Sequence, residues 1–314
     1  MSTNPAEAYA LKMQREREAN PITIDHLDPA VIEGEVGKRM MEGAYSSDKA
    51  YSEFASGHIP EPIGFGEFKE DPDTWFYVSE FHDMVDELPD VKDFVNIVSK
   101  VHRASMGKSP TGKFGFAVPT HLANIPNDNS WQDSWETYFT QLMKAMYVFE
   151  KQTQGEDEEL ERLFDALCNK VIPRLLRPLE TGGRSIEPCL IHSDLWPGNV
   201  MPDADTGEII MFDSCAFWGH NEAELGPWRA PRYRLGKPYL KQYQKVMRMS
   251  EPHADWDDRN ALYALAKREM RALVEKFPDG LQEDTEQSVQ DQVDNTERIK
   301  DLPLDAKIIA GEAV

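Results

Sequence analysis

The stretch IHSDLWPGNV at residues 191–200, with MFD at residues 211–213 after it, is the most informative part of this chain. It places Asp194 five positions before Asn199 on a segment that contains proline and glycine. Asp213 then closes the apolar run that follows. Short apolar runs on both sides of the polar segment predict two buried strands that form a hairpin around a loop. We therefore expect three oxygen-bearing side chains to meet at one end of that hairpin.

Such a set of side chains suits kinase-type phosphoryl transfer. In that reaction one carboxylate accepts the proton of the substrate hydroxyl, while an amide and a second carboxylate hold Mg²⁺ against the phosphates. Mg²⁺ prefers hard oxygen ligands and keeps several waters. Each residue alone has an ordinary structural role as a loop cap, a turn residue or a strand end. The order H-x-D-x-x-x-x-N, followed by an apolar strand ending in Phe-Asp, is more specific and favours the kinase interpretation.

The same residues resemble the signature of the fructosamine (ketosamine-3) kinases, in the aminoglycoside-phosphotransferase-like branch of the kinase fold. The resemblance covers roughly residues 57–280. It implies an α+β, bilobal, protein-kinase-like fold with a reduced N-terminal sheet lobe and a large, mainly helical C-terminal lobe. Besides the central motif, it is carried by residues 112–116, Asn124, and residues 131–139, 173–180 and 212–225.

The resemblance also implies roles for individual residues. Asp194 is expected to be the base for the sugar hydroxyl, with Asn199 and Asp213 as ligands of Mg²⁺ and with ATP as phosphate donor. Trp196 is expected to be a platform for the sugar, or else an anchor for the loop. The other candidate substrate contacts are His192, Gly115, Phe116, His220 and Glu222. The alternative for His192 is a core position, and the alternative for Gly115 and Phe116 is a packed turn. For His220, Glu222 and also Glu224 the alternative is bracing of the loop.

Hydrophobic periodicity divides the chain into two lobes. Residues 1–82 are predicted to form the reduced N-terminal lobe, here called the front lobe, with a charged helical arm. Residues 83–314 are predicted to form the helical C-terminal lobe, here called the back lobe, which carries the catalytic and metal loop. An acidic, Gln-rich stretch follows Gly280. The predicted elements are a helix at 35–54, a hairpin of strands at 63–67 and 75–81, and helices at 91–102, 131–151, 158–176 and 255–277.

The front lobe departs from the family pattern on the nucleotide side. Members of the family carry a flexible loop over the nucleotide, a strand lysine and a helix glutamate that pairs with it. Residues 1–33 contain no glycine, so a glycine-bearing turn cannot precede the first helix. Ala44 stands where the glutamate is expected, Ala30 lies near the lysine position, and Ser193 replaces a common glycine. Loss of one pre-organised donor raises a barrier by about 3 kcal/mol.

Charge and composition limit the classes of partner. The chain has 34 basic and 56 acidic residues, a net charge of −22, which repels nucleic-acid phosphates and anionic lipid surfaces. Three cysteines without C-x-x-C spacing, a charged N-terminus and no long apolar run favour a cytoplasmic protein. We therefore expect a small-molecule substrate, no nucleic acid and no membrane. A basic protein partner is compatible with the acidic charge, but no motif supports one.

Three hypotheses for the function stay open on these grounds. The first is a fructosamine-kinase-like phosphotransferase that transfers phosphate from Mg-ATP to a hydroxyl of a small ketosamine or a similar molecule. The second is a repurposed kinase-fold enzyme that has lost ATP binding and performs non-phosphorylating acid–base chemistry in a biosynthetic pathway. The third is a pseudokinase whose acidic surface binds another protein.

Overall fold

The computed structural model describes residues 34–281, apart from residues 70, 124, 231–232 and 266. Three sequence predictions lie outside the described residues: the N-terminal arm with Ala30, the position of Asn124, and the acidic stretch from residue 282 onward. The glycine-free segment before residue 34 lies outside them as well.

The described part of the front lobe contains one helix packed on a hairpin, and both elements were predicted from the sequence. Tyr45 of the helix packs against Phe65 and Tyr77 of the hairpin, with ring centroids 5.3 and 6.1 Å apart. Aromatic contacts of this kind contribute about 1 kcal/mol beyond the area they bury. The helix therefore covers one face of the two-stranded sheet. The elements are helix α1 (Gly34–Ser52) and the antiparallel strands β1 (Pro62–Phe68) and β2 (Asp71–Ser79).

Helix α1 also lies directly against the back lobe. A Cβ built at Gly43 would be 2.5 Å from the carbonyl oxygen of Pro119, closer than any side chain tolerates. Glycine is therefore required where the two backbones approach each other. This contact fixes the depth at which α1 sits on the back lobe.

The described part of the back lobe is mainly helical, as the periodicity predicts. Asp90 caps the first of its helices by accepting hydrogen bonds from the amides of Lys92 and Asp93. Ser134 caps the next one in the same way through the amide of Thr137. Its helices are α2 (Val91–Ser105), α3 (Trp135–Gln154), α4 (Glu158–Ala166), which continues through a π-helical turn (Leu167–Val171) into α5 (Ile172–Leu176), α6 (Gly226–Arg229), α7 (Lys237–Val246), α8 (Trp256–Tyr263) and α9 (Lys267–Lys276).

The single helix predicted at residues 255–277 is two helices, α8 and α9. A 3₁₀ turn at His253–Asp255 leads into α8, and α8 ends at Tyr263. The carbonyl oxygen of Tyr263 would be 2.3 Å from a Cβ at Gly226, so the end of α8 is pressed against the start of α6. Packing between two helices, which periodicity does not record, thus sets the break.

The strands around the polar loop are present, but their predicted pairing is wrong. The two predicted strands, at residues 189–192 and 209–212, do not pair with each other. Each pairs instead with a strand that was not predicted from the sequence. One of these additional strands begins at Val200, directly after the 3₁₀ turn Pro197–Asn199. The observed pairs are β5 (Cys189–Ile191) with β8 (Phe217–Gly219), β6 (Val200–Pro202) with β7 (Ile209–Met211), and, elsewhere, β3 (His121–Leu122) with β4 (Ile125–Pro126).

The core of the back lobe lies under the polar loop. Trp135 is fully buried and its ring contacts Phe114, Tyr138 and Phe139 at centroid distances of 5.7, 5.9 and 5.7 Å. This aromatic cluster supports β8 and, through β8, the strand β5 that leads into the loop. Among the helices of the described residues, none is both long enough and apolar enough to cross a membrane.

Candidate active site

Asp194 and Asn199 are held together at the centre of the polar loop. The side-chain nitrogen Nδ2 of Asn199 donates hydrogen bonds to the backbone oxygen of Asp194 at 2.9 Å and to the Oδ2 of Asp194 at 3.0 Å. The loop backbone is fixed from below by Trp228, whose Nε1 donates to the oxygen of Leu195 at 2.8 Å. Burial, together with the nearby charge of Asp213, raises the pKa of Asp194 to about 6. A carboxylate of raised pKa is a suitable acceptor for a substrate proton.

Asp213 joins this pair through the backbone. The amide of Phe212 donates to the oxygen of Asn199 at 3.0 Å, which brings the end of β7 beside the loop. Asp213 itself is exposed and adopts a positive φ of 59°, a conformation that turns the chain sharply after Phe212. The structure therefore brings together the three oxygen-bearing residues that the sequence predicts.

Glu224 supports the loop from the interior. Its carboxylate is fully buried and accepts hydrogen bonds from the amides of His192 at 2.6 Å and Ser193 at 2.9 Å. His102, also fully buried, lies 3.4 Å from the same carboxylate. Although burial acts to raise the pKa of Glu224, the contact with His102 and the bonded amide of His192 lower it below its usual range. Glu224 is thus a buried anion that orders the loop before Asp194, which is the bracing role weighed for it.

Ser193 occupies a position that favours glycine. Its φ is 72°, in the left-handed region that costs a side-chain-bearing residue about 1–2 kcal/mol. The backbone here explains why a glycine is common at this position of the motif. The hydrogen bond to Glu224 and the packing around the loop offset the strain.

We expect Ser193→Gly to raise the free energy of unfolding by about 1 kcal/mol, because glycine adopts this φ without strain. Urea denaturation measures the change. Ser130→Gly is the matched control: Ser130 is exposed and has an ordinary φ, so this substitution should lower stability by a few tenths of a kcal/mol, about the entropic cost of glycine. A Ser193→Gly protein less stable than the parent would contradict the strain argument.

A buried polar cluster ties the front lobe to the segment after Asp213. The hydroxyl of Ser47, on α1, lies 2.7 Å from the hydroxyl of Ser214. It also accepts a hydrogen bond from the backbone amide of Ala216 at 2.6 Å. Asp48, the next residue of α1, accepts hydrogen bonds from Ser214 and, at 2.8 Å, from the hydroxyl of Tyr77. Burial raises the pKa of Asp48. The sequence carried no sign of this cluster, which lies one helical turn beyond Ala44.

Trp196 lies beside Asp194, on a cleft of about 470 Å³ that we call the Asp194 cleft. A Cβ at Gly198 would be 2.2 Å from the indole ring, so the ring rests on its own loop. Its outer neighbour is Tyr233, with a ring centroid at 5.3 Å. Residues that line the cleft include Asp194, Trp196, Phe139, Met143, Met146 and Leu265.

The three buried polar candidates, His192, His220 and Glu222, do not line the Asp194 cleft. The ring of His192 shares a 3.1 Å hydrogen bond with the oxygen of Phe212, and burial lowers its pKa. Glu222 forms a buried ion pair with Arg259 at 2.9 Å. The structure thus places these side chains in the interior, as in the core and bracing alternatives, and their role as substrate contacts stays a prediction.

Gly115 and Phe116 form a packed turn rather than part of the cleft wall. Gly115 exchanges backbone hydrogen bonds of 3.0 and 2.9 Å with Trp218 of β8. A Cβ at Gly115 would lie 2.7 Å from the oxygen of Asn129. Phe116 is buried in the core. These positions match the structural alternative of a packed turn, and the role of the two residues as substrate contacts stays a prediction.

The buried state of His220 gives a testable pH dependence. Burial lowers the pKa of His220 to about 4; Glu222 acts to raise it, while Arg259 and His102 lower it further. In the unfolded chain its pKa is about 6.5. Below pH 6.5, His220 is therefore protonated in the unfolded state but not in the folded state. The free energy of unfolding consequently decreases as pH falls toward 4.

We expect this residue to lower the free energy of unfolding by about 3 kcal/mol between pH 6.5 and 4. His220→Gln removes the titrating group, so its unfolding free energy should fall less over that range. Urea denaturation at several pH values compares the slopes, and a constant offset from lost hydrogen bonds does not affect them. Equal slopes for the two proteins would show that His220 is not the group responsible.

The donor set fits Mg²⁺ rather than a metal that needs a full protein cage. The described residues contain no group of three or more His, Cys, Asp and Glu side chains placed to hold a metal ion. Mg²⁺ does not require one, since it binds through one or two protein oxygens together with waters and substrate phosphates. The nitrogen of the Asn199 amide is committed to Asp194, which leaves its Oδ1 for a cation. Asp213 supplies an exposed carboxylate beside it.

Comparison with known proteins agrees with this geometry. An Arabidopsis thaliana protein-ribulosamine 3-kinase of the chloroplast is 27% identical over 231 residues, which are 73% of this chain and 65% of that protein. A mouse ketosamine-3-kinase is 43% identical over 114 residues, which are 36% of this chain and 34% of the mouse protein. The chain thus spans less than two thirds of the length of these relatives.

The fold comparison leads to the same group of proteins. The solved structure of a candidate fructosamine-3-kinase from Haemophilus somnus has a TM-score of 0.59 at 14% identity, over 77% of this chain and 81% of that chain. At this identity the likeness concerns the fold, which is bilobal and protein-kinase-like. The family model described as fructosamine kinase matches residues 34–294, most of the sequence. The chain therefore belongs to the fructosamine kinase family.

Proposed function

We propose that this protein is a phosphotransferase that moves the terminal phosphate of ATP, with Mg²⁺, to a hydroxyl of a small ketosamine. The observation that carries the proposal is the pair formed by Asp194 and Asn199, with Asp213 beside it. A carboxylate that opens on a cleft and is oriented by a neighbouring amide is the arrangement that proton transfer from a hydroxyl needs.

In this proposal the residues of the loop divide the work. Asp194 accepts the proton as the substrate oxygen bonds to phosphorus and the bond from phosphorus to the bridging oxygen of ATP breaks. Asn199 orients Asp194 through its nitrogen, and its Oδ1 together with Asp213 holds Mg²⁺. An Mg²⁺ ion held by these two residues would neutralise charge on the phosphates. Trp196 offers a flat apolar face to the acceptor.

The names of the relatives support the class of acceptor. The plant and mouse relatives are named as ribulosamine and ketosamine kinases, which supports a ketosamine as the acceptor of the phosphate.

We place the boundary of the lobes between residues 82 and 83, in the connection from β2 to α2. The free cysteines of the described residues, Cys168, Cys189 and Cys215, are compatible with the cytoplasm.

Calorimetry with Mg-ATP tests the donor half of the proposal on the full chain. We expect saturable binding of ATP in the presence of Mg²⁺ and much weaker binding after EDTA treatment. Asp213→Asn should weaken the Mg²⁺-dependent part, while Asp205→Asn, an exposed aspartate in the turn between β6 and β7, should not. Absence of ATP binding would favour a repurposed enzyme or a pseudokinase and would overturn the proposal.

A further inference from the structure

We infer that the Asp194 cleft selects ketosamines whose amine carries an uncharged apolar body, and that it disfavours those whose amine carries an acid group. The inference takes the ketosamine part from the proposed function and adds the chemistry of the group attached to the nitrogen. It follows from which atoms of the cleft wall remain free to meet a ligand.

One wall of the cleft is a continuous apolar face of α3. Phe139, Leu142, Met143 and Met146 recur at the spacing of a single helical face, and all four line the cleft. Phe139 and Leu142 are buried, whereas Met143 and Met146 are only half-buried and so remain accessible. Methionine side chains are flexible and polarizable, and they adapt to apolar groups of varied shape. This face is therefore suited to an apolar substituent.

The second wall is apolar at the surface that it presents, although it contains a tyrosine. The hydroxyl of Tyr263 accepts a hydrogen bond from Trp135 Nε1 at 2.9 Å and shares another with His220 at 3.0 Å. Both contacts use the hydroxyl within the interior, so the ring is the part left to the cleft. Leu265 lies two residues further along the same wall.

Two of the polar side chains on the described lining present acceptor oxygens. Asp194 presents its carboxylate. Asn127 uses its amide nitrogen on the hydroxyl of Thr120 at 3.2 Å, while its Oδ1 is buried without a hydrogen-bond partner among the described residues. The residues that the structure describes on this lining include no lysine or arginine.

A ligand that brings donors therefore matches these acceptors, and it meets no lysine or arginine among the described residues of the lining. The hydroxyls and protonated amine of a ketosamine are donors that match Asp194 and Asn127. A carboxylate would leave water without gaining a cationic partner among the described residues, which is costly in an apolar site. The net charge of −22 acts in the same direction by repelling anions. An apolar substituent on the nitrogen, by contrast, gains from burial against α3.

Calorimetry without nucleotide tests this selection with three fructosamines that share the same sugar. They are made from 2-phenylethylamine, ethanolamine and glycine. We expect the phenylethyl compound to bind about tenfold or more tightly than the ethanolamine compound, and the glycine compound to bind most weakly. Equal affinities for the first two, tightest binding of the glycine compound, or failure of the phenylethyl compound to bind would each overturn the inference.

Met146→Lys places a cation on the apolar face and should reverse the selection. We expect it to weaken the phenylethyl compound about tenfold and to make the glycine compound the better ligand of the two. Val148→Lys adds the same charge two residues away on α3, at a side chain that is 52% exposed and outside the cleft, and should leave the ratio unchanged. Equal effects of the two variants would contradict the inference.

Circular dichroism checks that Met146→Lys folds, and Met146→Gln gives a smaller change in the same direction if it does not. Because ligand binding is measured without ATP, this test is separate from the proposed function. Selective binding without any phosphate transfer from Mg-ATP supports the inference and rejects the proposed phosphotransfer. Phosphate transfer to all three fructosamines with equal affinity does the opposite.

Discussion

Asp194→Asn is expected to lower kcat for phosphate transfer by about a thousandfold, because asparagine has the same shape but cannot accept the proton of the substrate hydroxyl. The amide of Asn199 now bonds Oδ2 of Asp194, and it can still meet the Oδ1 of the new side chain. The loop should therefore keep its geometry, and the affinity for Mg-ATP should change little.

Steady-state kinetics with a fructosamine, together with calorimetry of Mg-ATP, measures the two quantities. Asp205→Asn makes the same chemical change at an exposed position and should leave both unchanged. Retention of most of the activity by Asp194→Asn would mean that another group accepts the proton. Loss of nucleotide binding along with activity would mean that Asp194 acts by holding the metal loop rather than as a base.

Arg259→Met is expected to lower the free energy of unfolding by about 3–5 kcal/mol, because it leaves the buried carboxylate of Glu222 without its partner. Arg259 is fully buried and Glu222 is 2% exposed, with 2.9 Å between Nε and Oε2. The guanidinium also donates to the backbone oxygens of Ser250 and Pro252 at 2.6 and 2.8 Å. Its removal therefore frees the segment that joins α7 to α8.

The double substitution Arg259→Met with Glu222→Met should recover a large part of that loss, since it removes the uncompensated charge. Asp257→Asn is the control, because it breaks a pair with Arg229 in which the aspartate is 72% exposed. A surface pair of that kind contributes less than about 1 kcal/mol. Urea denaturation compares the variants. A small effect of Arg259→Met, equal to that of Asp257→Asn, would contradict the view of Glu222 as a structural residue.

The sequence predicted the parts of the site that are local in the chain. Asp194 and Asn199 lie five residues apart, and their hydrogen bond follows from a short turn that proline and glycine indicate. The helix and hairpin of the front lobe follow from periodicity in the same way. Asp213 directly follows Phe212 at the end of the β7 run, next to the loop, which is the position that the sequence predicts.

The sequence could not predict contacts between distant segments. Ser214 and Asp48 are 166 residues apart, and nothing in the pattern of α1 distinguishes an inward aspartate from an exposed one. The pairing of β5 with β8 could not be predicted either. All three residues of β5 are buried, so the strand shows no alternation of polar and apolar side chains that could indicate its partner. His220 and Glu222 look like ligand contacts in the sequence, and only the positions of Tyr263 and Arg259 show that they serve the interior.

The buried link between α1 and Ser214 gives a physical reason to expect nucleotide chemistry despite Ala44. In the family pattern, an ion pair between the front helix and a strand orders the phosphate side. Here the helix is tied through Ser47 and Asp48 directly to the segment that follows Asp213. Among the described residues, hydrogen bonds thus fix the positions of α1 and of the proposed metal ligand relative to each other.

Phosphorus NMR of the purified chain with Mg-ATP and the phenylethyl fructosamine distinguishes phosphate transfer from simple binding. We expect a new phosphate-ester signal that grows as ADP appears, requires Mg²⁺, and is lost in Asp194→Asn. ADP that appears with inorganic phosphate alone, or an ATP spectrum that stays unchanged while the fructosamine is bound, would contradict it.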